Sequence, residues 1–243
     1  MARIVTLHSC RGGTGKSSTA ANMALLLAAE GRRVALVDAD IRSPAVETMF
    51  GSPGGRDGCS LADYLVGRCE IEDAVRPLAS GGLFIVPART GMTAINEISA
   101  NGYDVGLLNE GFGRLIAALD LDVLLLDTHT GINTETVMAV AGADALVIVT
   151  RADRLDLAGA AESVALADRF GCVRRAVVVN MVPDAAPRSD LVLRAETAYG
   201  TPVTAVLPYV PEMAELAGEQ IFVSAHPGHS LVAGYQKINS AVL

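Results

Sequence analysis

The chain has 243 residues, 51% of them hydrophobic and 19% charged, with a formal net charge of −8. That length fits one α/β domain, and so much apolar side chain excludes a disordered polymer, which needs low hydrophobicity and high net charge. The acidic balance gains little from the counterion release that drives non-specific nucleic-acid binding, lysine occurs only at Lys16 and Lys237, and the arginines are scattered, so composition does not favour DNA.

The start, MARIVTLHSC, lacks a charged segment followed by an export core and a cleavage site. No apolar run approaches the ~20 residues that span a bilayer. Cys10, Cys59, Cys69 and Cys172 form no CxxC pair and no zinc-like spacing, and read as free thiols of a reducing compartment. A cytoplasmic protein is expected.

Short apolar runs recur along the chain: IVTLHS (4–9), VALVDAD (34–40), LFIVPA (83–88), DVLLLDT (122–128), ALVIVT (145–150), AVVVNMV (176–182) and PVTAVLP (202–208). Their near-continuous Val/Ile/Leu content suits strands buried on both faces of a parallel sheet. Helical stretches are expected at 16–30, 105–119, 155–169 and 189–199. Strand alternating with helix predicts right-handed crossovers and a doubly wound, mostly parallel sheet flanked by helices over 1–243. The segment GSPGGRDG (51–58) reads as a surface loop. In such sheets ligands gather beyond the carboxyl ends of the strands, which directs attention to the residues just after each run.

The first run leads into SCRGGTGKSS (9–18). A phosphate loop reads Gly, four residues, then Gly-Lys-Ser/Thr, between a strand and a helix. Gly15, Lys16 and Ser17 supply the end of that pattern, but Cys10 stands where its first glycine would. Glycines 12, 13 and 15 let the backbone turn its N–H groups toward an anion, and the following helix directs its N-terminal dipole there. Gly12, Gly13, Thr14, Gly15, Lys16, Ser17 and Ser18 are therefore candidate nucleotide contacts. Lys16 would reach the β- and γ-phosphates, and the Ser17 hydroxyl would coordinate Mg²⁺.

With Arg11 in front, the stretch Arg11-Gly12-Gly13-Thr14-Gly15-Lys16-Ser17 resembles the deviant Walker A loop of MinD/ParA-type P-loop ATPases. In that family the motif opens with a lysine that reaches the partner's phosphates in a nucleotide-sandwiched dimer; Arg11 holds this position here. The resemblance implies ATP and Mg²⁺ as ligands. It assigns a catalytic part to Lys16, Asp40 and Arg11. Val37-Asp38-Ala39-Asp40 resembles switch I, in which the second aspartate orients the attacking water near the metal; two strand-end aspartates are also common capping residues. Leu124-Leu125-Leu126-Asp127 resembles a Walker B strand, with Asp127 holding Mg²⁺ through water. Ser17, Asp40 and Asp127 are thus the candidate metal residues. His129 stands where the family carries proline or alanine, and either tunes the water or caps its own loop. Asn180 matches a base-contacting asparagine, and Leu207-Pro208-Tyr209-Val210-Pro211-Glu212 a segment that packs on adenine, with Pro208 the contact.

Departures narrow the reading. Iron–sulfur relatives need paired cluster thiolates, and none are spaced for it. HPGHSLVAGYQKINSAVL (226–243) has one lysine and no basic face, unlike a membrane-targeting helix. Arg188 and Arg194 are a thin basis for nucleoid binding. The expectation is a homodimerising ATPase switch that positions or partitions a cargo and answers to an activating or cargo protein. The alternatives are a nucleotide-gated polar scaffold with little hydrolysis, and an ATP-dependent ligase.

Overall fold

The computed structural model describes residues 2–51, 58–78, 81–89, 93–172, 174–216 and 218–243. Most of the loop expected at 51–58 lies outside the described residues. Eight strands form one sheet: β1 (Arg3–His8), β2 (Val34–Asp38), β3 (Arg76–Pro77), β4 (Leu83–Val86), β5 (Val123–Asp127), β6 (Ala145–Arg151), β7 (Arg174–Val182) and β8 (Val203–Pro208). Their spatial order is β3-β4-β2-β5-β1-β6-β7-β8, parallel throughout except for the β3–β4 pair at one edge. The chain winds to one side of β1 through β2 and β4, then to the other through β6, β7 and β8. The carboxyl end of β1 therefore lies near the point where the winding reverses, the usual ligand position in such sheets.

The helices described are α1 (Lys16–Ala29), α2 (Val46–Met49), α3 (Leu61–Leu65), α4 (Thr93–Asn101), α5 (Val105–Leu119), α6 (Thr134–Ala141), α7 (Arg154–Arg169), α8 (Arg188–Tyr199), α9 (Pro211–Glu215), α10 (Phe222–Ala225) and α11 (Leu231–Val242). The four expected from sequence are α1, α5, α7 and α8, within a residue or so at each end. None of these helices is long and apolar enough to cross a membrane.

The sheet is covered on both faces, which explains the unbroken apolar runs. Side chains alternate along a strand with period two. Val34, Leu36, Val123, Leu125, Val147 and Val149 join a core with Leu27, Phe222, Tyr235 and Ile238 on one face. Ala35, Val37, Leu124 and Leu126 pack with Leu61, Leu65, Phe112 and Leu115 on the other, where Leu146 and Ile148 meet α7. Helix α1 lies close to the sheet because it buries alanines, at positions 20, 21, 24 and 28. The last helix is not a surface appendage: Leu231, Tyr235, Ile238 and Val242 repeat at helical spacing and are buried in the first core. Asn239 Nδ2 ties it to α1 by donating to the Met23 carbonyl at 3.3 Å.

Candidate functional site

The loop between β1 and α1 turns on two glycines with left-handed backbone, Gly13 (φ 76°) and Gly15 (φ 83°), a conformation costly for other residues. Gly15 caps α1, and among the described residues no side chain caps it in return. The first N–H groups of the helix thus remain for an anion. Gly15 also has no room for a side chain, because a Cβ there would overlap Asn180 Nδ2. That nitrogen donates to the Thr14 carbonyl at 2.8 Å and clamps the loop from the end of β7. Asn180, expected at the base, is buried against the loop through its amide nitrogen.

Residues Gly12 to Ser18 line a cavity of about 300 Å³ together with Ser9, Asp40, Ser43, Ala45, His129 and Thr130. Beneath it, Lys16 Nζ and Asp127 Oδ1 form a buried ion pair, with side chains 5% and 0% exposed. Asp127 Oδ2 and Thr14 Oγ1 are buried with no hydrogen-bond partner among the described residues. An orphaned carboxylate oxygen below a cavity, with Ser17 in the same lining, fits a cation carried in by a ligand. Among the described residues no set of three or more His, Cys, Asp or Glu side chains could hold a metal alone. This suits Mg²⁺, which keeps several waters and is usually held by one or two protein oxygens plus phosphate.

Sheet register explains how the acidic groups converge. Asp38 lies opposite Asp127 in the β2–β5 ladder, and Ala39 N donates to the Asp127 carbonyl at 2.9 Å. Asp38 accepts from Asp40 N, Ala45 N and Val46 N at 3.1, 2.8 and 3.0 Å. It is the brace that shapes the loop, the capping part left open by sequence, and Asp40 is the residue on the cavity. Burial, then the charge of Asp127, pushes the Asp38 carboxyl up to about 7. Asp40 Oδ1 accepts from Ser43 N at 2.9 Å and contacts His129 Nδ1 at 2.8 Å. His8, at the end of β1, is fully buried, and among the described residues neither ring nitrogen finds a hydrogen-bond partner. Burial, then the Lys16 charge, lowers it to about 4, so it is neutral at pH 7.

Arg11 points elsewhere. Its Nε sits 3.1 Å from Asp156 Oδ1, with the arginine side chain 49% exposed and the aspartate 1%. Asp156 is shared with Arg151, whose Nε donates to Oδ2 at 2.6 Å. Cys10 packs against Gly159 of α7, where a Cβ would come within 2.6 Å of its side chain. The tolerance of cysteine at position 10 therefore rests on a glycine far along the chain, besides the turn provided by Gly12 and Gly13. Pro208 does not line the phosphate cavity. It borders a second one of about 520 Å³ with Arg188, Tyr209 and His229.

Sequence reasoning left three residues of this region unassigned: His8, Asp156 and Asn133. Asn133 caps α6 by accepting from Thr136 N at 2.8 Å. Each is an ordinary residue type whose meaning comes from strand register and helix placement. Only the Asn-x-x-Thr start of a helical run could have been read in advance.

A ParA family model, described as NUBPL iron-transfer P-loop NTPase, matches residues 1–243. The antiactivator FleN of Pseudomonas aeruginosa is 33% identical over 74% of this chain and 61% of its own length. An uncharacterized ATP-binding protein of Methanocaldococcus jannaschii is 29% identical over 89% of this chain and 78% of its own. In fold the chain is similar to the septum site-determining protein MinD of Pyrococcus horikoshii, solved with Mg-ADP: the TM-score is 0.82 at 23% identity, covering 98% of this chain and 95% of that one.

Proposed function

This chain belongs to the MinD/ParA family of P-loop ATPases, and from that premise we propose that it binds Mg–ATP, dimerises on it and hydrolyses it slowly as a switch for positioning or partitioning a cargo. The observation that carries the reading is the single cavity that gathers the glycine loop, the free N-terminus of α1, Ser17 and Asp40 above the Lys16–Asp127 pair.

The backbone N–H groups of Gly12 to Gly15 and of the first turn of α1 hold the β-phosphate. Lys16 would leave Asp127 for the β- and γ-phosphate oxygens, and the freed Asp127 carboxylate with the Ser17 hydroxyl would hold the cation. The cation, when bound, would supply neutralisation of the negative charge on the phosphates. Asp40, at the mouth of the cavity, accepts a hydrogen bond from water and orients it. Arg11 exchanges Asp156 for the phosphates of a second copy. Arginine can do this through a bidentate fork, and a trans-acting arginine is worth ~10³–10⁵ in turnover.

The Arg11–Asp156 pair favours a low basal rate, since a charge held in cis is not available in trans. Soft-metal chemistry has less support. Cys172 is buried near the end of α7, Cys10 lies against Gly159, and only Cys59 and Cys69 flank a common helix.

Phosphate release, combined with light scattering on the eluted protein, tests the reading. ATP is expected to produce a dimer and slow release, both lost in Arg11→Ala. A chain that stays monomeric at saturating ATP, with Arg11→Ala indistinguishable from the parent, would sink the switch. ATP-dependent dimers without measurable release would favour the nucleotide-gated scaffold.

A further inference from the structure

Among the described residues His129 is the one ring lining the phosphate cavity, and its own loop does not need it. Thr128 donates to the Leu7 carbonyl through both N (3.3 Å) and Oγ1 (2.8 Å), and Gly131 N donates to the Ser9 carbonyl at 3.0 Å. The segment is thus pinned to β1 and the phosphate loop on both sides of His129. The imidazole reaches a different loop instead, the one after β2. Because Asp38 and Asp127 are opposite each other in the ladder, residues two further along, Asp40 and His129, meet above the sheet at 2.8 Å.

Both donors to Asp40 use the same oxygen. Ser43 N and His129 Nδ1 converge on Oδ1, and among the described residues no hydrogen bond reaches Oδ2. A carboxylate with one donor on one oxygen still swings. Two donors from separate loops, one a backbone N–H and one a ring N–H, fix its plane. An ionised carboxylate only accepts, so Nδ1 is the nitrogen that carries hydrogen in this contact.

We propose that His129 is a positioning residue for the hydrolytic step: its Nδ1–H, with Ser43 N–H, holds the Asp40 carboxylate so that Oδ2 is left to orient the attacking water. The same bond couples the loop after β5, which carries Asp127, to the loop after β2, which carries Asp40. Movement of either loop on nucleotide binding is therefore transmitted to the other. This rests on the reading of the cavity as an ATP-hydrolysing site.

The test has two arms. In steady-state hydrolysis, His129→Ala is expected to lower kcat by about 10–100-fold, the scale of a misplaced catalytic group, with little change in KM. His129→Asn, which keeps an N–H near the position of Nδ1, recovers most of that loss. In the Asp40→Ala background His129→Ala adds nothing, because two residues acting as a unit are not additive. Losses that add in the double variant, equal losses in the Asn and Ala variants, or a change confined to KM would overturn the proposal. The second arm needs no turnover. Histidine ¹⁵N NMR, with the four histidines assigned through His129→Asn, should find His129 protonated at Nδ1 and its signal shifted in Asp40→Ala. Protonation at Nε2 alone overturns the positioning role whatever the rate. A parent chain that binds MgATP but never hydrolyses it, with Nδ1 protonated as expected, instead faults the ATPase reading.

Discussion

Lys16 and Asp127 make the sharpest link between stability and function in this protein. Their ion pair is buried, at 5% and 0% exposure, and Asp127 already shares its surroundings with Asp38. Replacing one partner strands the other charge, which costs about 3–5 kcal/mol. In a domain of this size each kcal/mol moves the melting temperature by roughly 2–4 °C. Lys16→Met and Asp127→Leu alone should therefore each lower Tm by roughly 10 °C without nucleotide. The double variant should recover part of the loss, since neither charge is left alone. MgATP at a hundred times its dissociation constant stabilises the parent by about 2.7 kcal/mol, a rise of roughly 5–11 °C that Lys16→Met should lack. Differential scanning calorimetry with and without MgATP reads all of this. Single variants melting within a degree or two of the parent would refute the ion pair. An undiminished MgATP shift in Lys16→Met would refute the transfer of Lys16 from Asp127 to phosphate.

Three further outcomes follow from the same site. His8, neutral down to about 4 against an ordinary 6.5, makes stability fall as pH drops through that window. Asp38, protonated up to about 7 against 3.8, makes it rise as pH falls between those values. In urea unfolding without nucleotide, His8→Phe should expose the Asp38 slope, up to about 1.4 kcal/mol per pH unit, and Asp38→Asn the opposite slope. Identical pH profiles in all three chains would contradict both assignments. Asn180→Ala removes the clamp on Thr14, and nucleotide titration should find binding weakened about fivefold, the worth of one hydrogen bond of about 1 kcal/mol; unaltered affinity would show the clamp to be idle. Asp156→Ala frees Arg11, so light scattering should find the ATP-dependent dimer at lower nucleotide concentration than in the parent. A higher requirement would mean that Asp156 serves the dimer rather than restrains it.

How far the sequence could be read depends on the range of the interaction concerned. Strand and helix positions were legible because a sheet covered on both faces needs apolar residues at successive positions, as in Val34–Val37 or Val123–Leu126. The phosphate loop was legible because its glycines, Lys16 and Ser17 act within one turn. Short or edge elements carried too few residues for a period: β3 is the pair Arg76–Pro77, and α2 and α10 span a single turn each. Helix α11 has no basic face, yet its sequence carries a different signal. Its repeat at Leu231, Tyr235, Ile238 and Val242 marks a core helix. The pairings that shape the site join residues far apart in the chain, Arg11 with Asp156, His129 with Asp40 and Cys10 with Gly159. They follow from strand order and register, which no local pattern encodes.

The central claim is that the cavity above Lys16 and Asp127 holds Mg–ATP. Calorimetric titration of MgATP into Asp40→Ala, whose residual turnover is too slow to disturb the titration, tests it most directly. One nucleotide per chain, with the signal abolished when Lys16→Met is added and reduced when Mg²⁺ is withheld, is the predicted result. No saturable binding, or binding indifferent to Lys16, would contradict it.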